Sequence, residues 1–176
     1  MEIGIELDAD GYLGDRYAKH ADAAHLYAGT PTCSFPFELT GIPEGAASIA
    51  LAFYDLDSIP VCGFAWVHWT AACIDAGLAE GGRLRFVEDA SNLGALGMVQ
   101  GRNSSAGRMA GGSEDPLLCC RYNGPQPPDG DHEYTLRAWA LDYMPELAEG
   151  FWANELVWAT RGHVLAEAGV DIPARV

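Results

Sequence analysis

Three segments of this chain alternate with a period of two, and each is cut off by a turn rich in glycine or proline. In Ser48–Tyr54, Ile49, Leu51 and Phe53 alternate with Ala50, Ala52 and Tyr54, so both faces are apolar. Such a strand is predicted to lie inside a sheet, covered on both sides. Ala65–Ile74 is rich in Trp and Val and carries His68 in its middle. In Glu133–Leu141, Tyr134, Leu136, Ala138 and Ala140 share one face, opposite Thr135, Arg137, Trp139 and Leu141. The 21 Gly and 10 Pro argue against a helical bundle and for many turns between strands.

Around these strands the chain is less regular. Residues 1–30 are acidic and read as an edge strand plus loops. Residues 88–118 read as one long loop, because Gly94, Gly97, Gly101, Gly107, Gly111 and Gly112 break every candidate period. A structureless stretch of that length is usually functional. Past residue 150 the period changes. Trp152, Leu156, Ala159 and His163 recur at helical spacing, as do Val157, Thr160, Val164 and Ala168, with Gly162 as a break that would divide the helix in two. No linker or repeat interrupts the chain, so residues 1–176 are expected to form a single domain. The predicted fold is mainly β: an antiparallel sandwich with a C-terminal helix or helices packed on it. Trp152 and Trp158 read as packing residues of that helix.

Charge narrows the functions. Ten Lys+Arg face 25 Asp+Glu, a net −15. A generic nucleic-acid binder needs cations to displace counterions from phosphates, so no nucleic-acid partner is expected. Docking on an anionic membrane is disfavoured for the same reason. No run approaches ~18 consecutive apolar residues, so no transmembrane segment is expected. Met1 to Asp8 lacks the basic and apolar regions of a signal peptide, which gives a cytoplasmic expectation. The five Cys are odd in number and show no CxxC spacing, so neither a disulfide framework nor a zinc knuckle is expected. The adjacent Cys119 and Cys120 read as two buried or half-buried thiols, with a redox role as the lesser alternative.

Three polar groups sit at the mouths of the strongly apolar strands. Asp55 and Asp57 follow the first strand and, two apart on extended chain, point the same way. Each alone reads as a loop cap for backbone N–H groups. His68 alone reads as a satisfied core residue. His132 and Tyr134 share a face at the start of the third strand, directly after a Pro/Gly loop. Taken together, two imidazoles, a phenol and two carboxylates near the ends of adjacent strands can form one small pocket with donors for an anion. A carboxylate that accepts from an imidazole also keeps it protonated nearer neutral pH. On this reading Asp55 orients one ring, and the remaining N–H, the Tyr134 hydroxyl and loop N–H groups receive a ligand oxygen.

These pieces occur in an order that resembles the phosphatidylethanolamine-binding protein family, in its bacterial and archaeal Raf-kinase-inhibitor-like branch. They are Gly41-Ile42-Pro43-Glu44-Gly45, Asp55-Leu56-Asp57, Trp66-Val67-His68-Trp69, Gln100-Gly101-Arg102-Asn103-Ser104, the run Tyr122 to Tyr134, and Ala140-Leu141-Asp142. The Gly-Pro-x-Pro-Pro-x-Gly-x-His-x-Tyr run is the specific one. The resemblance implies a Greek-key β-sandwich with C-terminal helices and a small pocket for phosphate-like anions, including phospholipid head groups. Carried over by position, it implies that Asp55, His68, His132 and Tyr134 line that pocket. Leu56 stands where the motif has Pro, and the following Pro is displaced to Pro60, so the loop after Asp57 departs from the pattern. Gln126 stands where several members have Gly and is expected to narrow the pocket or add an amide donor.

Three functions compete. The first is a non-catalytic binding module for a small anionic or phosphorylated ligand, with a regulatory role as one option, with Asp55, His68, Gln126, His132 and Tyr134 as ligand-binding residues and no metal or cofactor. The second is a hydrolase, metal-free or metal-assisted, using His68 and His132 alongside Asp55. Against it, there is no HExxH, GxSxG or P-loop. The third is an interaction protein whose pocket is unused. Relatives suggest a homodimer. The kinase role in the family name belongs to eukaryotic members, and no residue here points to a kinase.

Overall fold

The computed structural model describes residues 1–176. In chain order the strands are β1 (Glu2–Ile5), β2 (Leu26–Tyr27), β3 (Thr30–Pro31), β4 (Phe37–Thr40), β5 (Ser48–Asp55), β6 (Trp66–Asp75), β7 (Leu84–Phe86), β8 (Val99–Gln100), β9 (His132–Leu141) and β10 (Val164–Ala174). Four short helices interrupt them: α1 (Ile59–Cys62), α2 (Ala90–Leu93), α3 (Pro116–Cys119) and α4 (Ala153–Thr160). The protein is therefore mostly strand, and every strand pairing is antiparallel.

Two sheets share one core. The smaller has the order β1-β4-β7, the larger β10-β9-β5-β6-β8, and β2 with β3 forms a separate small hairpin. Phe37, Leu39, Leu84 and Phe86 of the smaller sheet belong to the same buried cluster as Ile49, Leu51, Phe53, Trp69, Leu136 and Ile172 of the larger. The Phe37 and Phe86 rings stack at 4.1 Å between centroids. On the opposite face of the larger sheet, Ala50, Ala52, Ala72 and Leu141 pack under Leu156 of α4 and Phe151 just before it. This explains the sequence of β5. It pairs with β6 on one side and β9 on the other and is covered on both faces, so apolar residues at every position find cover.

The C-terminal expectation is corrected in part. A helix does lie in the expected stretch, at Ala153–Thr160, but its second half is absent. Gly162 takes φ +79°, and beyond it the chain is the 11-residue strand β10, paired along β9. Ala166 and Val170 pack against the core, Ala168 between them is half-buried, and Leu165, Glu167, Gly169 and Asp171 are exposed. An alanine-rich stretch suits either helix or strand by side-chain size, and packing on β9 decides. The long loop between residues 88 and 118 is punctuated by α2, β8, α3 and three 3-10 turns at Ala95–Gly97, Ser104–Ala106 and Arg108–Ala110.

Candidate functional site

The register of the larger sheet assembles the site. Asp55, the last residue of β5, is paired with Trp66 on β6 and with Tyr134 on β9. His132 precedes Tyr134 by two residues and so lies on the same face. His68 reaches the group by a different route. Phe53 pairs with Trp69 and Tyr54 with Val67, which leaves His68 as the extra residue of a β-bulge. A bulge re-aims a side chain at a sheet end, and here it brings His68 against Tyr134, with ring centroids 5.1 Å apart.

Asp55, His68, Gln126, His132 and Tyr134 all line one cavity of about 380 Å³, together with Ser58, Trp66, Asn123 and Pro127 among others. None of the lining residues is Lys or Arg. Asp55, His68, His132 and Tyr134 are buried, while Gln126 is exposed at the rim, its Nε2 3.4 Å from the Gly29 carbonyl.

Asp55 is fixed by two bonds. One carboxylate oxygen accepts from the Ser58 backbone N–H at 3.0 Å, and the other lies 2.8 Å from His132 Nδ1. The Ser58 hydroxyl donates to the Asp55 carbonyl at 2.8 Å and accepts from the Trp66 N–H at 2.9 Å. It thereby closes the loop that departs from the family pattern. Leu56, in place of proline, is half exposed, and Pro60 enters the first turn of α1, where no N–H is required. Asp57 is not a cavity residue. Its carboxylate accepts from the Glu133 N–H at 2.9 Å and caps the start of β9.

The two imidazoles are in different states. His68 Nδ1–H donates to the Asn123 carbonyl at 2.6 Å. Burial pushes this imidazole down to about 4, against a smaller upward pull from that hydrogen bond. His68 is therefore neutral at pH 7, and its other nitrogen, Nε2, offers a lone pair and no proton. His132 goes the other way. Burial, the largest single influence, pulls it down, but the hydrogen bonds and negative charges of Asp55 and Asp129 together raise it above its ordinary value. Both its nitrogens are occupied, Nδ1 by Asp55 and Nε2 by Asp129 Oδ1 at 3.0 Å. The Tyr134 phenol is raised by burial and then by the negative charge of Asp55, so it is protonated and can donate.

This corrects one expectation. Neither imidazole presents a free N–H to the cavity: His68 spends its proton on Asn123, and Asp129 covers the second nitrogen of His132. Asp129 was not among the candidate residues. A carboxylate three residues before His132 in a Pro-Pro-Asp-Gly turn was the available signal, and it is visible only once the loop's path is known.

Comparison with known proteins gives the family and agrees with the fold. The family model described as phosphatidylethanolamine-binding protein matches residues 5–173. The chain belongs to that family. It is 45% identical over 174 residues to the uncharacterized protein YxkA of Bacillus subtilis, covering 99% of this chain and 100% of that one. It is 35% identical over 136 residues to a UPF0098 protein of the archaeon Methanothermobacter thermautotrophicus, 76% of each chain. Among solved structures, Escherichia coli YbcL, described as a member of the mammalian PEBP family, superimposes with a TM-score of 0.74 at 21% identity, covering 99% of this chain and 98% of that one. The putative homolog CT736 from Chlamydia trachomatis gives a TM-score of 0.74 at 22% identity, covering 99% and 97%. These two likenesses concern the fold.

Proposed function

We propose that the protein is a non-catalytic binding module for a small phosphate-bearing anion, held by His68, His132 and Tyr134, with Asp55 orienting His132 and Gln126 at the rim. The observation that carries this is the donor and acceptor set around the one cavity. Tyr134 supplies a hydroxyl donor beside the raised imidazole of His132, and His68 Nε2 supplies a buried acceptor. A singly protonated phosphate or phosphomonoester satisfies both kinds, since it carries charged oxygens and one O–H. In the free pocket Asp55 holds His132 Nδ1 and Asp129 holds Nε2. With no Lys or Arg in the lining and −15 overall, affinity for a bare head group is set by a few charge-assisted bonds, on the order of tens of micromolar to millimolar. The five free thiols fit a reducing, cytoplasmic setting. A homodimer belongs to the same reading, and light scattering showing only the 18.8 kDa monomer at micromolar concentration would remove it.

The test is calorimetric titration with phosphate and with sulfate at pH 6. Sulfate has the same shape but no proton to give His68. Phosphate is expected to bind more tightly, and His132→Ala to weaken it while the far-ultraviolet spectrum stays unchanged. Equal affinity for the two anions, or no loss in the variant, would overturn the assignment.

A further inference from the structure

The two carboxylates on His132 are held very differently. Asp55 is buried, and its second oxygen is tied to the Ser58 N–H. The Asp129 side chain is 66% exposed, and its bond to His132 Nε2 is its one side-chain hydrogen bond. An exposed carboxylate bond is worth little net, because water competes for both partners. Asp55 is thus a fixed part of the wall, whereas Asp129 can turn out into solvent at small cost.

We propose that Asp129 is a specificity-determining residue: it holds the outer N–H of His132 while the pocket is free, and an anionic ligand oxygen takes its place. This rests on the phosphate reading above. The exchange replaces one carboxylate by another anion, so the charge next to the ring is unchanged. A neutral ligand cannot make that exchange, since it would give the imidazole a weaker partner than the one it displaces. The other groups facing the ring are Asp55 and the neutral Tyr134, with neutral His68 beyond Tyr134, and none of them competes for Nε2. The pocket therefore selects a ligand with full charge on the oxygen that reaches His132 and a proton on the oxygen that reaches His68. Phosphomonoesters have both, and neutral polyols, amines and sulfate do not.

The experiment titrates inorganic phosphate into the wild type, Asp129→Ala and Glu133→Gln at pH 6, following the His132 ring signals by NMR. Glu133 is exposed and makes no side-chain hydrogen bond, so its variant removes the same charge nearby without touching the ring. Asp129→Ala should bind phosphate up to about fivefold more tightly, the small net worth of an exposed carboxylate bond that no longer competes. Glu133→Gln should change affinity little. Binding by Asp129→Ala alone also supports the proposal. If Asp129→Ala binds no better than wild type, or Glu133→Gln gains as much, Asp129 has no such role although the phosphate reading stands. If neither wild type nor Asp129→Ala binds phosphate, the phosphate reading itself fails and the proposal falls with it.

Discussion

His132 Nδ1 lies 2.8 Å from Asp55 Oδ2, a bond between residues 77 positions apart, with both side chains almost wholly buried. It joins the end of β5 to the start of β9, so the same contact that orients the imidazole also ties two neighbouring strands at the site.

Asp55→Asn keeps the shape and removes the charge. The His132 titration should then move down, since the upward pull of Asp55 is lost while burial remains. Removing one partner of a buried pair also leaves the other poorly compensated, and a loss of about 3 kcal/mol in urea unfolding is expected. An unmoved His132 titration would show that Asp55 does not hold the ring.

The two imidazoles give opposite pH dependences. His68 is depressed in the folded state, from an ordinary 6.5 to about 4. Its contribution is present above 6.5 and is lost as pH falls from there toward 4, because the unfolded chain takes up the proton first. The full loss is about 3 kcal/mol by the linkage relation. His132 is raised, so its contribution is present below 6.5 and is lost as pH rises through its folded value. His68→Gln should therefore flatten the acid side of the stability profile between pH 4 and 6.5. An unchanged acid limb in that variant would contradict the buried, neutral state of His68.

Gly101 is predicted to tolerate no side chain. A methyl group there would press on Thr70 Oγ1 and lie 2.6 Å from the Phe151 ring and 2.8 Å from the Phe151 carbonyl. Backbone cannot yield as a side chain can, so Gly101→Ala should cost about 1–3 kcal/mol. An unchanged midpoint in thermal unfolding would mean that the segment before α4 shifts freely.

The strand character of β10 has a direct signature. Along an antiparallel edge, every second amide is bonded to the neighbouring strand and the others face solvent. Hydrogen exchange from Ala166 to Ile172 should therefore alternate between slow and fast. Uniform protection with helical continuity through Gly162 would overturn the assignment.

The legible parts of the sequence were those where one pattern dominated. The doubly apolar run at 48–54 announced a central strand, and burial on both faces of β5 is the physical content of that signal. The Pro-rich run ending in His132 and Tyr134 marked the entry to β9. Beyond Gly162 the signal was ambiguous, because Ala166 and Ala168 fit a helix as well as a strand, and only pairing with β9 separates them. Within the site, residue types pointed to Asp55, His68, His132 and Tyr134, but proton positions did not follow from type. That His68 is an acceptor depends on a main-chain carbonyl 55 positions away, and that His132 has no open nitrogen depends on Asp129.

The Asn123 bond to His68 has a consequence for how such a pocket can change. Its acceptor is a carbonyl of the main chain, while the Asn123 side chain is engaged separately with the Ser105 hydroxyl at 2.8 Å. No single exchange of the side chain at 123 deletes that carbonyl, so the tautomer of His68 is insulated from point mutation there. The tuning of His132, by contrast, hangs on two side chains, each one codon change from losing its charge. Divergence in ligand preference, by descent or by design, then has an uneven terrain: the acceptor wall at His68 is fixed in the backbone, and the adjustable charge lies at Asp55 and Asp129.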